Sequence, residues 1–193
     1  MSDSPQTVNG VLDRLDEKAN DSERVSIHDL IAAFGRRSFG PLLMVPALIG
    51  LSPLAGVPGM PTLIGVIIIL FAGQIAFGRS DLWIPGLLGN RSVKAERIEK
   101  AAAKLRPLAD RMDRWFHGRL PALTTGIGVR VAAGACVLLA LVIAPLELLP
   151  FAAALPLTGI ALIGLALLVH DGALMIGAWI AVLLGAGALA GLI

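Results

Sequence analysis

The sequence has few charged residues and a single cysteine, and these two shortages limit what the chain can be. Of its 193 residues, 16% are charged and 56% are hydrophobic, and the mean hydropathy is +0.80. Soluble domains carry roughly 25% charged residues. Cys136 alone excludes an intrachain disulfide, and we expect it to be a small, buried hydrophobic side chain. The composition therefore favours a membrane protein.

Two long stretches lack ionisable residues almost completely. No Asp, Glu, Lys, Arg or His lies between Arg37 and Arg79, and three residues of these types lie in 131–193. Each charge inside a bilayer costs on the order of 2.5–3.5 kcal/mol, and about 20 apolar residues form one crossing helix. The stretches therefore predict an all-α, polytopic helical membrane protein. The three ionisable residues after position 131 are Glu147, His170 and Asp171.

Motifs for catalysis, metal binding and nucleic-acid binding are absent. The sequence has no hydrolase elbow, phosphate-binding loop or zinc-ligand spacing, and no basic stripe with interleaved aromatic residues. Its first 30 residues contain no apolar signal segment. We therefore expect no enzyme activity, metal, cofactor or nucleic-acid partner, and a mature N-terminus in a multi-pass protein of the bacterial inner (cytoplasmic) membrane.

Polar and apolar stretches divide the chain into a partly disordered N-terminal segment, 1–25, and a single membrane domain, 26–193. Basic residues next to apolar spans fit anionic lipid headgroups. The membrane domain comprises, in order, an amphipathic helix (26–37), a first hairpin block (39–77), a basic interfacial segment (78–126) and a second membrane block (127–193).

Amphipathic helices are predicted outside the apolar blocks. Ser26 and Asp29 form a capping box at the start of the helix over 26–37. Over Ser92–His117, apolar residues share one side and basic residues occupy much of the rest, with a dent at Pro107. This pattern is typical of a helix lying in the membrane interface, and packing against protein explains it equally well.

Prolines interrupt both apolar blocks. The cluster from Ser52 to Pro61 excludes a continuous helix, because proline lacks an amide donor and clashes with the preceding turn. Non-helical backbone at membrane depth must be buried in protein or line a wet cavity. The first block is therefore a two-span hairpin or a re-entrant pair of half-helices, with its best helix over Thr62–Phe77. The second block divides into Val129–Ile143, Pro150–Val169 and Ala173–Leu192. The predicted helix breaks are Pro53, Pro58, Gly59, Pro61, Pro145, Pro150 and Pro156.

The two blocks resemble each other weakly, since residues 52–58 align with 144–150. Matched proline-interrupted segments point to a transport site built from broken helices, although two independent proline-rich hairpins explain them equally well. The aligned pairs further along are Thr62 with Thr158 and Gly78 with His170.

Lys and Arg residues predict the topology. Arg37 and the basic segment 78–126 are both expected on the cytoplasmic side, so the first block enters and leaves by the same face. If all three segments of the second block cross, the C-terminus lies outside. If its first two segments are re-entrant, His170 and Asp171 are cytoplasmic.

Glu147 is the leading candidate for a functional residue. It is the only acid in a long apolar stretch and stands between two prolines at a predicted helix break. Such a group suits a proton or cation step, and the structural alternative is a solvated loop at the membrane surface.

Other polar residues are candidates for the same pathway. Asp171 either caps the next helix or joins a proton relay with His170. Gln74 either hydrogen-bonds a neighbouring helix or lines a pathway. Arg79 either reaches lipid phosphates or pairs with Glu147 or Asp171. The candidate pathway residues are Glu147, Gln74, Arg79, Asp171 and Arg37.

Several short motifs follow one another in a distinctive order. They are Arg37-Ser38-Phe39-Gly40, Pro58-Gly59-Met60-Pro61-Thr62, Gln74-Ile75-Ala76-Phe77-Gly78-Arg79, Trp83-Ile84-Pro85, Glu147-Leu148-Leu149-Pro150-Phe151 and His170-Asp171-Gly172. Over about Ser26 to Met175 the chain resembles the ExoD family of bacterial membrane proteins, named for exopolysaccharide synthesis. The resemblance implies a link to exopolysaccharide production and, in rhizobia, to nodule invasion and alkali tolerance. It brings no ligand, chemistry or catalytic residue.

Together, the residues and the resemblance predict a transporter of a small ion or a lipid-linked substrate that supports exopolysaccharide synthesis. The alternative is a non-transporting accessory protein or scaffold of the same machinery. The expected partners are the anionic lipid bilayer, a second copy in a homodimer and the exopolysaccharide machinery.

Overall fold

The structure is a computed structural model that divides the chain into two compact units. One unit comprises Met1–Ser38 and Asp81–His117, and the other comprises Phe39–Ser80 and Gly118–Ile193. We name them the polar unit and the apolar unit. The structure describes residues 13, 24–26, 39–79, 82–83, 86, 92–96, 100, 103–104, 106–107, 110, 120–147 and 152–190.

The polar unit contains a short antiparallel pair of strands that the sequence did not predict. β1 (Arg24–Ser26) pairs with β2 (Ser92–Lys94), with Ser26 opposite Ser92. The predicted start of the interfacial helix at Ser92 is therefore wrong, because backbone pairing holds the first three residues extended. Ser26 ends β1, and the rest of the predicted helix over 26–37 lies outside the described residues.

Helix follows directly after β2 in the polar unit. The Arg106 guanidinium forms an ion pair with Asp13 at 3.0 Å, which ties two distant parts of this unit together. Pro107 has helical backbone geometry, which agrees with the prediction that the helix continues through this position. The described helical positions here are Ala95, Glu96, Lys100, Ala103, Lys104, Arg106, Pro107 and Asp110.

The apolar unit is built from helices, in agreement with the predicted all-α class. Two 3-10 turns, Pro53–Gly56 and Pro121–Leu123, precede α2 and α3. Among the described residues the helices are α1 (Gly40–Leu51), α2 (Met60–Ala76), α3 (Ile127–Leu146), α4 (Ala154–Leu168) and α5 (Gly172–Ala190).

Most of the predicted proline breaks lie between helices or in a first helical turn. Pro53 starts the 3-10 turn after α1, and Pro61 lies in the first turn of α2, where a missing amide costs little. Pro145 departs from the prediction, because α3 continues through it to Leu146. A proline one residue from a helix end removes only one bond of the last turn. Pro150 lies outside the described residues.

The helices form two hairpins, α1–α2 and α3–α4, and each helix packs mainly against a helix of the other hairpin. α1 packs against α4 and α2 packs against α3 more extensively than the helices within each hairpin pack together. The start of α1 at Gly40 meets Leu168 at the end of α4, and Gly65 near the start of α2 meets Ala140 near the end of α3. Both pairs are therefore antiparallel, and the two hairpins point the same way.

This arrangement gives the apolar unit two ends. We call the end with residues 52–59, 147 and 152–153 the tip, because both hairpins turn there. We call the end with residues 39–40, 77–79, 120–130 and 169–172 the base. The boundaries with the polar unit, at residues 38/39, 80/81 and 117/118, adjoin residues of the base.

Large apolar side chains cover the outside of the apolar unit as well as its core. Leu63, Val66 and Leu138 are all more than half exposed, whereas Leu43 and Ile160 are fully buried. Soluble monomers rarely expose large contiguous apolar patches, and the exposed residues here lie on all five helices. Among the described residues, one helix, Ile127–Leu146, is both long and apolar enough to cross a membrane.

Candidate functional site at the hairpin tips

Glu147 lies at the tip, directly after the last residue of α3. Its backbone amide donates to the carbonyl of Ile143 at 2.9 Å, so the helical geometry continues through it. The side chain is half-buried. The end of one hairpin helix thus fixes where the carboxylate can reach.

The start of α2 offers free donors at the same place. Gly59 occupies the cap position with φ +85°, a left-handed conformation that glycine adopts without steric cost. The first amides of a helix have no partner inside it. A side chain at the cap position normally accepts a hydrogen bond from one of these amides. Glycine has no side chain that could do so.

The carboxylate of Glu147 replaces that missing cap from the other hairpin. Oε1 accepts a hydrogen bond from the amide of Gly59, and Oε2 accepts one from the hydroxyl of Thr62. Oε2 also accepts the amide of Thr62 at 3.2 Å. A carboxylate is further stabilised at a helix N-terminus, where the helix dipole is positive. We name this set of three hydrogen bonds the tip contact.

The tip contact favours the ionised carboxylate. The hydrogen bond from the Thr62 hydroxyl, then that from the Gly59 amide, lowers the pKa of Glu147 below its ordinary value, and the Thr62 amide acts in the same direction. Partial burial opposes them and does not outweigh them. The carboxylate is therefore charged at neutral pH, and the contact joins the hairpins there.

Sequence reasoning identified Glu147 and Gly59 but missed Thr62 as a partner. Gly59 was predicted only as a helix break, and its role as a donor depends on a residue 88 positions away. One signal was available: α2 begins without an Asp, Asn, Ser or Thr at its cap. A helix without its own cap, in a chain with an unassigned acid in an apolar block, is consistent with a cap from elsewhere but does not say which helix receives it.

The other candidate residues do not join Glu147. Gln74 lies twelve residues beyond Thr62 on α2, about 18 Å along the helix, and its side-chain amide donates to Leu70 of the same helix at 3.0 Å. Arg79 is further along, at the base, so the alternative in which it pairs with Glu147 is wrong. Arg37 lies outside the described residues.

Asp171 has a capping role at the base. The side chain is 3% exposed, and Oδ1 accepts the amides of Ala173 at 2.8 Å and Leu174 at 3.2 Å. Asp171 therefore caps the start of α5. The sequence had left two roles open for it, a helix cap or a proton relay with His170, and the observed contacts are those of the cap. His170 before it has φ +51°, and its buried Nδ1 has no partner among the described residues.

The described interior between tip and base is apolar. Its buried side chains on α1–α4 are hydrocarbon except for the thiol of Cys136, and the buried polar residues of the described chain, Thr124 and Asp171, both lie at the base. No cluster of three metal-ligating side chains occurs within the described ranges. The tip contact is therefore a polar site, away from the buried polar residues of the base, that joins the two hairpins.

Comparison of the sequence with models of known protein families identifies one match. The family model described as "Exopolysaccharide synthesis, ExoD" matches residues 8–191. The chain belongs to the ExoD family. The match includes the whole tip contact and both hairpins.

Two curated proteins resemble this ExoD-family chain. Protein ExoD of Rhizobium meliloti (strain 1021) is 29% identical over 164 residues, which are 80% of this chain and 65% of that protein. The uncharacterized protein slr1875 of Synechocystis sp. is 28% identical over 97 residues, which are 50% of this chain and 45% of that protein. The chain thus spans less than two thirds of the length of either relative. No solved structure matches it.

Proposed function

We propose that this chain is a multi-pass protein of the bacterial inner membrane that supports exopolysaccharide synthesis by transporting a small ion or a lipid-linked substrate. The observation that carries the proposal is the tip contact, where one carboxylate joins two helical hairpins. The family description supports the link to exopolysaccharide synthesis. The exposed apolar side chains of α2 and α3 support membrane insertion.

Helix lengths favour re-entrant segments within this proposal. α1 has 12 residues and is about 18 Å long, whereas the hydrocarbon core is about 30 Å thick. α1 alone therefore falls short of the far side. α3 has 20 residues and is about 30 Å long. Both hairpins point the same way, so two hairpins entering from the cytoplasmic face would place the tip contact at the far face of the membrane.

The tip contact can respond to a cation or a proton. A cation that binds the carboxylate of Glu147 competes with Gly59 and Thr62 for the same two oxygens, and in acid a proton that neutralises the carboxylate does the same. Either event weakens the hydrogen bonds that join the tips, because charge-assisted bonds are about twice as strong as neutral ones. Separation of the tips would then open a path between the hairpins.

A flux assay with matched threonine variants tests this proposal. Full-length protein is reconstituted in vesicles, with an internal pH dye reporting proton flux and a fluorescent phospholipid reporting lipid translocation. We expect Glu147→Gln to abolish the flux of the wild type, because an amide neither binds a cation nor exchanges a proton. Thr62→Ala should raise the flux, because it removes one of the hydrogen bonds that hold the tips together. Thr158→Ala is the matched control, since the Thr158 hydroxyl bonds only the carbonyl of Ala154 in its own helix, at 2.7 Å. Unchanged flux in Glu147→Gln would remove this residue from the pathway.

A non-transporting accessory protein is the second candidate. The apolar interior among the described residues favours it, because no polar path connects the tip with the base. Absence of both fluxes, together with retention of exopolysaccharide enzymes by the tagged wild type, would support this role. In that case the tip contact is a structural cap. The homodimer and the absence of enzyme activity stay predictions.

A further inference from the structure

At the base, the side chain of Arg130 lies against Gly78. A methyl group added at Gly78 would meet Nη2, Cζ and Nε of Arg130, the last two at 2.6 and 2.8 Å. The guanidinium of α3 therefore occupies the space that any other residue at position 78 would fill. Gly78 also has φ +74°, so the turn itself favours glycine here, and a larger residue would displace the flexible Arg130 side chain.

Arg79 directly follows Gly78, and the end of α2 fixes its backbone. Its amide donates to the carbonyl of Gln74 at 3.0 Å, and the amide of Gly78 donates to Ile75 at 2.9 Å. This pair of hydrogen bonds is typical of a helix C-terminus that is followed by a residue in the left-handed conformation. Arg79 therefore follows, at a fixed position, the glycine that Arg130 contacts.

The charges of these two arginines are not neutralised within the described residues. Neither forms an ion pair there, and the described acids of the apolar unit are Glu147 at the tip and the buried Asp171. Asp171 uses Oδ1 to cap α5. Two exposed arginines, one directly after Gly78 and one whose guanidinium lies against Gly78, thus have no described anionic partner.

Apolar side chains flank the two arginines. Phe77 is 88% exposed and Ile127 is 77% exposed, the highest values among the large exposed apolar residues described. Phe77 precedes Gly78, and Ile127 lies one turn before Arg130. A lipid satisfies both features at once, because its phosphate pairs with guanidinium groups and its acyl chains cover apolar side chains.

We infer that Arg79 and Arg130 bind the phosphate of an anionic lipid headgroup at the base, with Phe77 and Ile127 against the acyl chains. This inference rests on the membrane insertion proposed above but not on transport. A second explanation for Arg130 is attraction to the negative C-terminal end of α2. That explanation involves no headgroup and no contribution from Arg79.

Native mass spectrometry of the full chain in detergent separates these explanations. It measures apparent dissociation constants for phosphatidylglycerol, phosphatidylcholine and inorganic phosphate. We expect preference for phosphatidylglycerol, with Arg79→Gln and Arg130→Gln each weakening its binding about fivefold, since a basic residue near an anionic surface contributes about 1 kcal/mol. Lys104→Gln, which removes an exposed cation of the polar unit, should have no effect.

Three results would overturn the inference. They are equal affinity for both lipids, unchanged affinity in Arg79→Gln, and displacement of the lipid by inorganic phosphate at equal concentration. Arg79→Gln stays decisive if Arg130→Gln misfolds, because the Arg79 side chain is exposed. Co-sedimentation of the wild type with vesicles without headgroup preference would leave membrane insertion intact and remove only the site.

Discussion

Replacement of Gly164 by alanine tests how closely α1 and α4 approach. The added methyl group would lie 2.8 Å from the backbone nitrogen of Met44 and 3.0 Å from both the carbonyl oxygen of Gly40 and Cα of Met44. Non-bonded heavy atoms prefer separations of about 3.5–4.0 Å. These neighbours are backbone atoms and cannot rotate away, so the two helices must separate.

The expected cost follows from two opposing effects. Overpacking a well-packed core costs about 1–3 kcal/mol. Alanine is also a better helix former than glycine by about 0.8–1.0 kcal/mol. Gly73→Ala provides the matched control, because it lies inside α2 and a methyl group there meets nothing within 4 Å. The propensity gain cancels between the two variants, so Gly164→Ala should be less stable than Gly73→Ala by about 1–3 kcal/mol.

Cys136 makes this difference measurable without further engineering. It is the only cysteine of the chain and is fully buried in α3, so a thiol reagent labels it only when the helices open. Labelling of the full chain in detergent across a denaturant series gives the unfolding midpoint of each variant. Equal or greater stability of Gly164→Ala would refute the close approach of α1 and α4, and with it the packing of each helix against the other hairpin.

Further predictions concern the base and the tip and use the same labelling assay. His170→Gly should stabilise the chain by about 1 kcal/mol, because it removes a left-handed non-glycine residue and a buried unpaired nitrogen; a loss of stability would contradict this. Asp171→Ala should destabilise by about 1 kcal/mol through the lost cap of α5, whereas Asp171→Asn should recover most of it. The folded pKa of Glu147 is lowered, so the stability it contributes is present above the unfolded carboxyl pKa of about 4.3 and is lost as pH falls through the lower folded pKa. The difference between wild type and Glu147→Gln should therefore be constant at neutral pH and vanish in acid; a difference that falls between pH 6 and 8 would contradict the tip contact.

Local sequence signals predicted the elements of the apolar unit well. The expected helix over Thr62–Phe77 is observed as Met60–Ala76, and the proline cluster before it does not form a continuous helix, as expected. Proline and glycine act on the backbone within one turn, so their effects can be derived from neighbouring residues. The same reasoning failed at Ser92–Lys94 because these residues pair with Arg24–Ser26, far away in the sequence.

Long-range contacts account for what the sequence could not show about the site. The hydrogen bonds of Glu147 join residues 85 and 88 positions apart. Its partner helix is decided by close backbone approach at glycines such as Gly65, whose added methyl group would lie 3.3 Å from the carbonyl of Ala140. Gln74 and Glu147 were grouped because both are polar residues in apolar sequence, and the helix between them places them at opposite ends.

The weak repeat in the sequence corresponds to matched ends of α2 and α4. Arg79 donates its amide to Gln74, and Asp171 donates its amide to Ala166 at 3.2 Å, across the aligned left-handed residues Gly78 and His170. The tips do not match in the same way. The start of α4 has no side-chain cap, whereas the start of α2 is capped by Glu147 from the other hairpin. A single charge at one of two comparable helix starts makes only that one sensitive to protons and cations. This asymmetry is the physical reason to direct transport experiments at Glu147 and Thr62 and to use Thr158 as the control.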